Sequence, residues 1–281
     1  MSLAITTRLA RGRVPRFGGV IVAAVFLAVL AAAAVLPGLF TPIDPLQTEI
    51  SNSLAAPSLA HPFGTDQTGR DVFSRVIHGT QHSLVIGLVA TVLALVAGLV
   101  IGTIAGIAPR AVDTVLSRII DVLMAFPELL IALLVIAILG PGESSLVIAL
   151  GIASTPVYAR VARIQTLVVR RSGYVRAAKT IGVHPLATVV RHVVPNTLGP
   201  LLVMATIGFG TSIAAAAGLS FLGLGSAPPT PEWGLILSEG RNFLGTAWWI
   251  AVFPGLAVTG TVIAATVVGR RLLAHRAGRT S

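Results

Sequence analysis

Six long apolar stretches, separated by short polar segments, dominate the hydrophobicity pattern of the chain. They cover residues 18–40, 83–108, 119–139, 145–161, 197–224 and 248–269. The hydrocarbon core of a bilayer is about 30 Å thick, so roughly 20 apolar residues in helical form can cross it. The pattern therefore predicts an all-α, polytopic membrane protein with six transmembrane helices. The fourth stretch is the shortest, and Pro156 interrupts it.

The composition of the chain agrees with this pattern. Of its 281 residues, 54% are hydrophobic, 11% are charged and none is Cys. A soluble globular protein carries about 25% charged residues, so the low charge content excludes an ordinary water-soluble enzyme and a disordered chain. The lack of cysteine excludes a disulfide-stabilised scaffold. A multi-pass protein of the cell membrane is the class that remains.

The positions of the charges indicate how the helices are oriented. Lys and Arg in short loops favour the cytoplasmic side of a membrane. With a cytoplasmic N-terminus, all of the 20 Lys and Arg residues except Arg70, Arg75 and Arg241 fall on the cytoplasmic side. We therefore expect both termini in the cytoplasm. The net charge of +10 then reflects topology, and no nucleic-acid partner is needed to explain it.

These assignments divide the chain into five parts. In order, we expect a cytoplasmic basic N-terminus at 1–17, a first transmembrane helix at 18–40, an extracytoplasmic segment at 41–82, a five-helix core at 83–269 and a cytoplasmic basic tail at 270–281. The core contains a cytoplasmic loop at 162–196. A cleaved signal peptide is the alternative for the first helix, but the apolar stretch exceeds the usual length of about 7 to 15 residues.

Small and acidic residues within the predicted helices suggest where helices meet. Gly98, Gly102 and Gly106 recur at every fourth position, which lets another helix approach closely and predicts a packing seam. Asp121 and Glu128 are seven residues apart and would share one helix face. A carboxylate inside a membrane must be solvated or paired. Asp121 is expected at the cytoplasmic interface near Arg118. Glu128 either lies alone within the membrane or faces a translocation path or a partner subunit.

The polar segment at 61–75 is predicted to form an ordered collar on the extracytoplasmic side. Gly64 and Gly69 permit turns there. Charged side chains that can pair locally accompany them: Asp66, Arg70, Asp71 and Arg75. A second polar segment, 219–241, is rich in Gly and Pro and is expected to end the fifth helix and fold as a re-entrant or surface loop. Trp248 and Trp249 follow it and are expected to anchor at the membrane interface.

The cytoplasmic loop carries a short amphipathic pattern. Its apolar positions are Tyr174, Val175, Ala177, Ala178 and Ile181. They predict a short helix that ends at Gly182, followed after Pro185 by a second helical run to Val194. An exposed apolar stripe needs a surface to cover it, so a soluble partner with a groove is expected to bind here.

The same loop comes close to a nucleotide-binding pattern. Gly173, Ala178, Lys179 and Thr180 fall one substitution short of G-x-x-x-x-G-K-[ST]. No buried strand precedes them, and Ala replaces the Gly that lets the backbone approach phosphate. We therefore expect that this chain is not an enzyme and neither binds nor hydrolyses ATP. The six His residues show no ligand-like spacing, so no metal site is expected.

Further motifs occur over almost the whole length of the chain. Together with the segments above they cover 61–75, 79–87, 121–130, 158–160, 174–182, 191–196, 219–225, 228–234, 239–241, 247–249 and 253–255. With these motifs the chain resembles the second permease subunit of the dipeptide, oligopeptide and nickel importers of the ATP-binding-cassette (ABC) superfamily. The motifs are highly specific as a set, although no single one would be. The resemblance implies a type I ABC importer permease fold.

The resemblance also assigns a role to the cytoplasmic loop. In that family the loop carries the signature E-A-A-x3-G, with L-P further on, and 174–182 would be the coupling helix that docks on an ATPase subunit. The residues implicated here are Tyr174, Val175, Arg176, Ala177, Ala178, Lys179, Gly182 and, downstream, Pro195. Two positions depart from the family: Arg176 replaces the Glu of the signature, and Gly173 stands where peptide permeases usually carry an acid.

By resemblance, the chain would form a heterodimer with a homologous permease and enclose a path for di- or oligopeptides. Two ATPase subunits, which bind ATP and Mg²⁺, and an extracytoplasmic solute-binding protein would complete the importer. Nickel, glutathione or a metal chelate is the alternative solute. Asp121 and Glu128 are the candidate path residues. A secondary transporter driven by an ion gradient would need several ionisable groups at mid-membrane, and the sequence offers chiefly Glu128.

Overall fold

The computed structural model describes residues 17–277 and shows an almost entirely helical chain. Its helices are α1 (Phe17–Val35), α2 (Val72–Ile107), α3 (Arg110–Met124), α4 (Glu128–Leu139), α5 (Glu143–Val169), α6 (Gly173–Thr180), α7 (Pro185–Thr188), α8 (Val194–Phe221), α9 (Trp233–Gly240) and α10 (Trp249–Ala277). Residues 1–16 and 278–281, which belong to the predicted basic N-terminus and tail, lie outside the described residues, as does the side chain of Lys179.

Within the described part of the chain, five helical segments are long and apolar enough to cross a membrane. They are α1, α2, α5, α10 and the segment Pro185–Phe221, which joins α7 to α8. The pair α3 and α4 makes a sixth crossing if it is counted as one broken span. The predicted all-α, polytopic fold is therefore confirmed. No β-strand occurs in these residues, where a single bridge between Thr65 and Asp71 is the only extended pairing.

The single helix expected over 119–139 is wrong. α3 and α4 meet at an angle of 93°, and the break falls between Met124 and Glu128. Pro127 explains the break, because proline lacks a backbone N–H and disfavours helical geometry at the residue before it. The extended ψ of 130° at Pro127 begins α4 in a new direction.

The helices α2 and α5 extend well beyond the apolar stretches that predicted them. α2 begins at Val72, where the Asp71 side chain accepts a hydrogen bond from the amide of Ser74 at 2.7 Å. This cap is typical of a helix N-terminus. α5 continues through Pro156 and ends at Val169. A hydropathy window does not detect the polar ends of membrane helices, because these ends extend beyond the apolar core of the bilayer.

The α2–α5 pair forms the centre of the packing. Gly98, Gly102 and Gly106 all lie on the face of α2 that touches α5. A Cβ added to Gly102 would stand 2.5 Å from the Cβ of Ala162 and 2.7 Å from the amide nitrogen of Arg163. The backbones are therefore too close for any side chain at this position, and the glycine face is a helix-packing seam.

Candidate functional site

Glu128 and Asp121 do not share a helix face, contrary to the sequence-based expectation. Asp121 lies on α3 and Glu128 is the first residue of α4, on the far side of the 93° break. The expectation assumed one continuous helix, in which residues seven apart align. The break separates the two carboxylates and gives them different partners.

Asp121 is tied to α5. Its carboxylate accepts a hydrogen bond from Arg160. About two turns earlier on α3, Asp113 makes a two-point contact with Arg163, with oxygen–nitrogen distances of 2.5 and 2.8 Å. Asp113 and Asp121 of α3 therefore both form ion pairs with arginines of α5.

Glu128 lies between two small cavities. Its carboxylate accepts a hydrogen bond from the hydroxyl of Ser154, which lies close to the midpoint of α5. One cavity, of about 170 Å³, lies against α3 and α5. The other, of about 190 Å³, lies between α5 and α8 and has a more polar wall. The residues that line the second cavity besides Glu128 and Ser154 are Val157, Tyr158, Met204, Ile207, Gly208, Thr211 and Ser212.

Tyr158 is a wall residue that the sequence analysis did not single out as a site residue. Its side chain is buried, and its hydroxyl has no hydrogen-bond partner among the described residues. A Cβ added to Gly208 would collide with that hydroxyl, so the glycine makes room for it. Nearby, Thr91 donates a hydrogen bond to Ser212 across 3.2 Å. Hydroxyl-bearing residues within otherwise apolar helices were the sequence feature that could have indicated this cavity wall.

One face of the helix α6 in the cytoplasmic loop packs against the rest of the protein, and the opposite face is exposed. Val175 and Ala178 on α6 are buried, and Val175 packs against Val169 and Val193. Tyr174 is 47% exposed and Ile181 is 79% exposed. The apolar pattern of α6 therefore contains two sets of residues, of which Val175 and Ala178 hold the helix in place.

The exposed apolar residues extend beyond α6 into the following turn, α7 and the π-helical turn. We call this set the loop surface; its members are Tyr174, Ala177, Ile181, Leu186 and Val190. Arg176 and Pro195 are also exposed beside it. Gly182 has a φ of +79°, which ends α6 in the left-handed conformation that glycine adopts without strain.

The turn after Gly182 leads without interruption into a membrane helix. α7 continues through a π-helical turn at Val189–Val193 directly into α8. The second helical run expected to end near Val194 is therefore the beginning of the fifth span. Leu186 and Val190 of the loop surface therefore belong to the same continuous helical rod as the α8 residues of the second cavity wall.

The predicted collar at 61–75 is a buried ion network. Asp66 accepts hydrogen bonds from Arg70 Nε and Arg75 Nη1, each at 2.7 Å, and Arg75 Nη1 also donates to Glu239 of α9 at 2.6 Å. Asp66 and Arg75 are both fully buried. Burial disfavours the ionised form of Asp66, but the two guanidinium groups outweigh this effect, so the pKa of Asp66 is lower than usual.

Two tryptophans complete the collar. Trp249 is buried, and its Nε1 donates a hydrogen bond to the carbonyl oxygen of Thr65 at 3.0 Å. The expectation that Trp249 anchors at the interface is therefore wrong, whereas Trp248 is 48% exposed. Gly64 faces the indole of Trp249, where a Cβ would stand 2.6 Å from Nε1. Gly69 has a φ of +80° and lies against the backbone of Glu49.

The collar also includes Asp71, which caps α2 and contacts His61 Nδ1 at 2.9 Å. Among the described residues, no group of three or more His, Asp or Glu side chains could hold a metal ion. The collar charges join 61–75 to α9 through Glu239, and the Trp249 indole joins it to α10.

Comparison with known proteins identifies the family. The model of the family described as binding-protein-dependent transport system inner membrane component matches residues 98–280. The chain belongs to this family. It is 39% identical to the dipeptide transport system permease protein DppC of Alkalihalophilus pseudofirmus, over 84% of this chain and 78% of that protein. It is 42% identical to the glutathione transport system permease protein GsiD of an Escherichia coli strain, over 88% and 82% of the two chains.

Solved structures agree on the fold of this inner membrane component. The inward-facing MetNI methionine ABC transporter matches with a TM-score of 0.57 and 19% identity, covering 72% of this chain and 96% of the matched chain. The type I ABC importer permease fold expected from the motifs is confirmed. The chain is an inner membrane, multi-pass component of a binding-protein-dependent ABC transport system.

Proposed function

We propose that this chain is a permease subunit of an ATP-driven importer for di- or oligopeptides. It pairs with a homologous permease to enclose the translocation path. Two ATPase subunits, which carry ATP and Mg²⁺, bind at the arginine-rich end of the helices, and a solute-binding protein delivers peptide at the collar end. The arginine-rich end is the end that carries Arg110, Arg118, Arg163, Arg170, Arg171 and Arg176. This chain performs no hydrolysis. The arginine-rich end, with both termini, faces the cytoplasm, in agreement with the preference of Lys and Arg for that side.

The observation that carries the proposal is the loop surface. Ile181 is 79% exposed and Leu186 is 64% exposed, although both are large aliphatic residues in a segment with charged neighbours. Exposed apolar patches rimmed by polar residues mark sites of protein association. The helix that carries them is fixed from behind by Val175 and Ala178. A rigid apolar surface beside Arg176 fits a groove on a soluble ATPase subunit.

The structure offers a direct route for coupling. Because α7, the π-helical turn and α8 form one rod, a displacement of Leu186 and Val190 on the loop surface would move α8 as well. α8 contributes Met204, Ile207 and Thr211 to the wall of the second cavity. Closure of two ATPase subunits would therefore change the width of the path through rigid-body motion of packed helices, which is how alternating access is commonly achieved.

The solute assignment follows the relatives. The DppC proteins of Alkalihalophilus pseudofirmus and Pseudomonas aeruginosa are named as dipeptide and di/tripeptide permeases, at 39% and 41% identity. These names favour a peptide solute. Glutathione is the second candidate, because the GsiD relative at 42% identity is named for it. Glutathione is itself a tripeptide, so both candidates place an amide-containing, charged solute in the same path.

One pair of variants tests the coupling role. Ala177 and Ala111 are both exposed, and both lie at the arginine-rich end. In proteoliposomes that contain the full importer, we expect Ala177→Glu to reduce ATP-driven uptake of a labelled dipeptide at least about tenfold, because an unpaired charge is buried in the docking groove. Ala111→Glu should keep wild-type uptake. Wild-type uptake by Ala177→Glu would overturn the coupling role of the loop surface.

A further inference from the structure

We propose that Glu128 binds the protonated amino group of the solute as it passes through the path, with the hydroxyls of Ser154 and Tyr158 as supporting partners. The proposal rests on the proposed function as a peptide permease and names the chemical group that the path recognises. It makes Glu128 a specificity-determining residue of this chain.

The first line of support is the lack of a cationic partner. The two carboxylates of the preceding helix α3 are paired: Asp121 with Arg160 and Asp113 with Arg163. Glu128 belongs to none of the ion pairs formed among the described residues, and Ser154 is its hydrogen-bond partner there. A carboxylate within a membrane-spanning body is costly unless it is solvated or paired. Residues of this kind are retained chiefly on ion and substrate pathways.

The second line of support is the position of Glu128 in the bilayer. Ser154, which contacts it, is close to the midpoint of the 27-residue helix α5. Ser154 also lies near the middle of the apolar stretch 145–161, the part of α5 that would occupy the hydrocarbon core. The start of α4 presents backbone N–H groups beside the carboxylate and stabilises a negative charge without any cation of the protein. The site can therefore exist empty and still attract a cation.

The third line of support is independent of Glu128. Tyr158 is 3% exposed and lines the cavity of about 190 Å³, and its hydroxyl has no partner among the described residues. A buried hydroxyl without a hydrogen bond is unfavourable. Its oxygen lies against Gly208, another residue of the same wall. An acceptor carboxylate and an unsatisfied hydroxyl in one cavity suit an ammonium group, which donates to both oxygens.

The test uses the complete importer with its binding protein in proteoliposomes and a labelled dipeptide with a free amino terminus. Glu128→Gln keeps an acceptor oxygen for Ser154 and removes only the charge. Glu128→Asp keeps the charge. Glu143→Gln is the matched control, because Glu143 is also the first residue of a membrane helix and its side chain is 38% exposed. Uptake and ATP hydrolysis are measured against the concentration of solute-loaded binding protein.

We expect Glu128→Gln to lower the maximal uptake rate about tenfold, the factor that the loss of one charge-assisted hydrogen bond gives. The half-saturating concentration of loaded binding protein and its stimulation of ATP hydrolysis should remain at wild-type values, because peptide meets Glu128 only after release. Glu128→Asp should restore most of the uptake, and Glu143→Gln should match wild type.

Three results would overturn the inference. Full uptake by Glu128→Gln would show that the charge is not used. A parallel loss of uptake, stimulated ATP hydrolysis and membrane insertion in both Glu128 variants would assign the residue a structural role only. A wild-type importer that takes up no dipeptide would overturn the proposed function and this inference with it, and the wild-type measurement alone identifies that case.

Discussion

The collar network predicts a large and specific loss of stability when Asp66 is neutralised. In the fold, Asp66 is fully buried and accepts hydrogen bonds from Arg70, Arg75 and the backbone and hydroxyl of Thr68. Asp66→Asn keeps the size of the side chain but removes its charge. Arg75 is then left buried, with Glu239 as its remaining counter-charge and with two guanidinium nitrogens, Nε and Nη2, that have no partner among the described residues.

The magnitude follows from this arrangement. Breaking a buried ion pair by removing one partner costs about 3 to 5 kcal/mol of unfolding free energy, because a buried charge is left uncompensated. Glu239 is 13% exposed and still contacts Arg75 at 2.6 Å, so it retains part of the compensation. We therefore expect a loss of about 3 kcal/mol for Asp66→Asn, at the lower end of that range.

The assay is reversible unfolding of the purified chain in mixed micelles, followed by circular dichroism and tryptophan fluorescence. Asp44→Asn is the control, since Asp44 is exposed and its carboxylate accepts a hydrogen bond from the nearby amide of Leu46 at 2.8 Å. It should change the unfolding free energy by less than about 0.5 kcal/mol. If Asp66→Asn were as stable as this control, the description of the collar as a charge-dependent junction would be refuted.

The same pair of proteins has a predicted pH dependence. The pKa of Asp66 is below its ordinary value of 3.8 in the fold, because Arg75 and Arg70 outweigh the effect of burial. The stability that Asp66 contributes is therefore complete above pH 3.8 and is lost as the pH falls through the lower native pKa. Burial raises the pKa of Glu232, but Glu232 titrates in both proteins and cancels in the difference. If the difference in unfolding free energy between wild type and Asp66→Asn stayed constant well below pH 3.8, this account would be contradicted.

Two further predictions concern packing and are measured by the same unfolding assay. Gly102→Leu should cost at least about 3 kcal/mol, because its Cβ would meet the α5 backbone at 2.7 Å, whereas Gly218→Leu, with nothing within 4 Å, should be close to neutral; equal effects would contradict the proposed seam. Trp249→Phe should lower the unfolding free energy by about 1 to 3 kcal/mol, because it leaves the Thr65 carbonyl without its donor. Trp248→Phe, at a 48% exposed position, should lower it less. A larger loss for Trp248→Phe would contradict the structural role of Trp249 in the collar.

Much of the fold was predictable from the sequence because a bilayer limits the possible structures. Helices are the natural spanning elements of a chain with long apolar stretches, and a 20-residue window finds them. The sequence analysis missed the break between α3 and α4, although Pro127 lies there. The mean hydropathy is taken over a window that spans the Met124–Glu128 boundary, and the window remains apolar. Backbone direction depends on local torsion angles, to which hydropathy is blind.

The candidate site was predictable only in part, for a related reason. Periodicity identified α6 but could not say which apolar residues face the body, since Val175 and Ile181 are equally apolar and only packing separates them. The cavity wall joins Glu128 of α4, Ser154 of α5 and Thr211 of α8. These residues are far apart in sequence, so their proximity depends on tertiary packing that no local pattern contains.

The most direct test of the account is whether an ATPase subunit binds the loop surface. The chain has no Cys, so a single Ile181→Cys variant places one reactive thiol at the 79% exposed centre of that surface. Leu39→Cys, at a 77% exposed position just after α1, is the matched control. A short bifunctional reagent applied to the intact importer should link Ile181→Cys to an ATPase subunit, and the yield should change with ATP, while Leu39→Cys forms no such link. Absence of the link at Ile181→Cys, together with labelling of that thiol from the outer face of intact cells, would contradict the central claim.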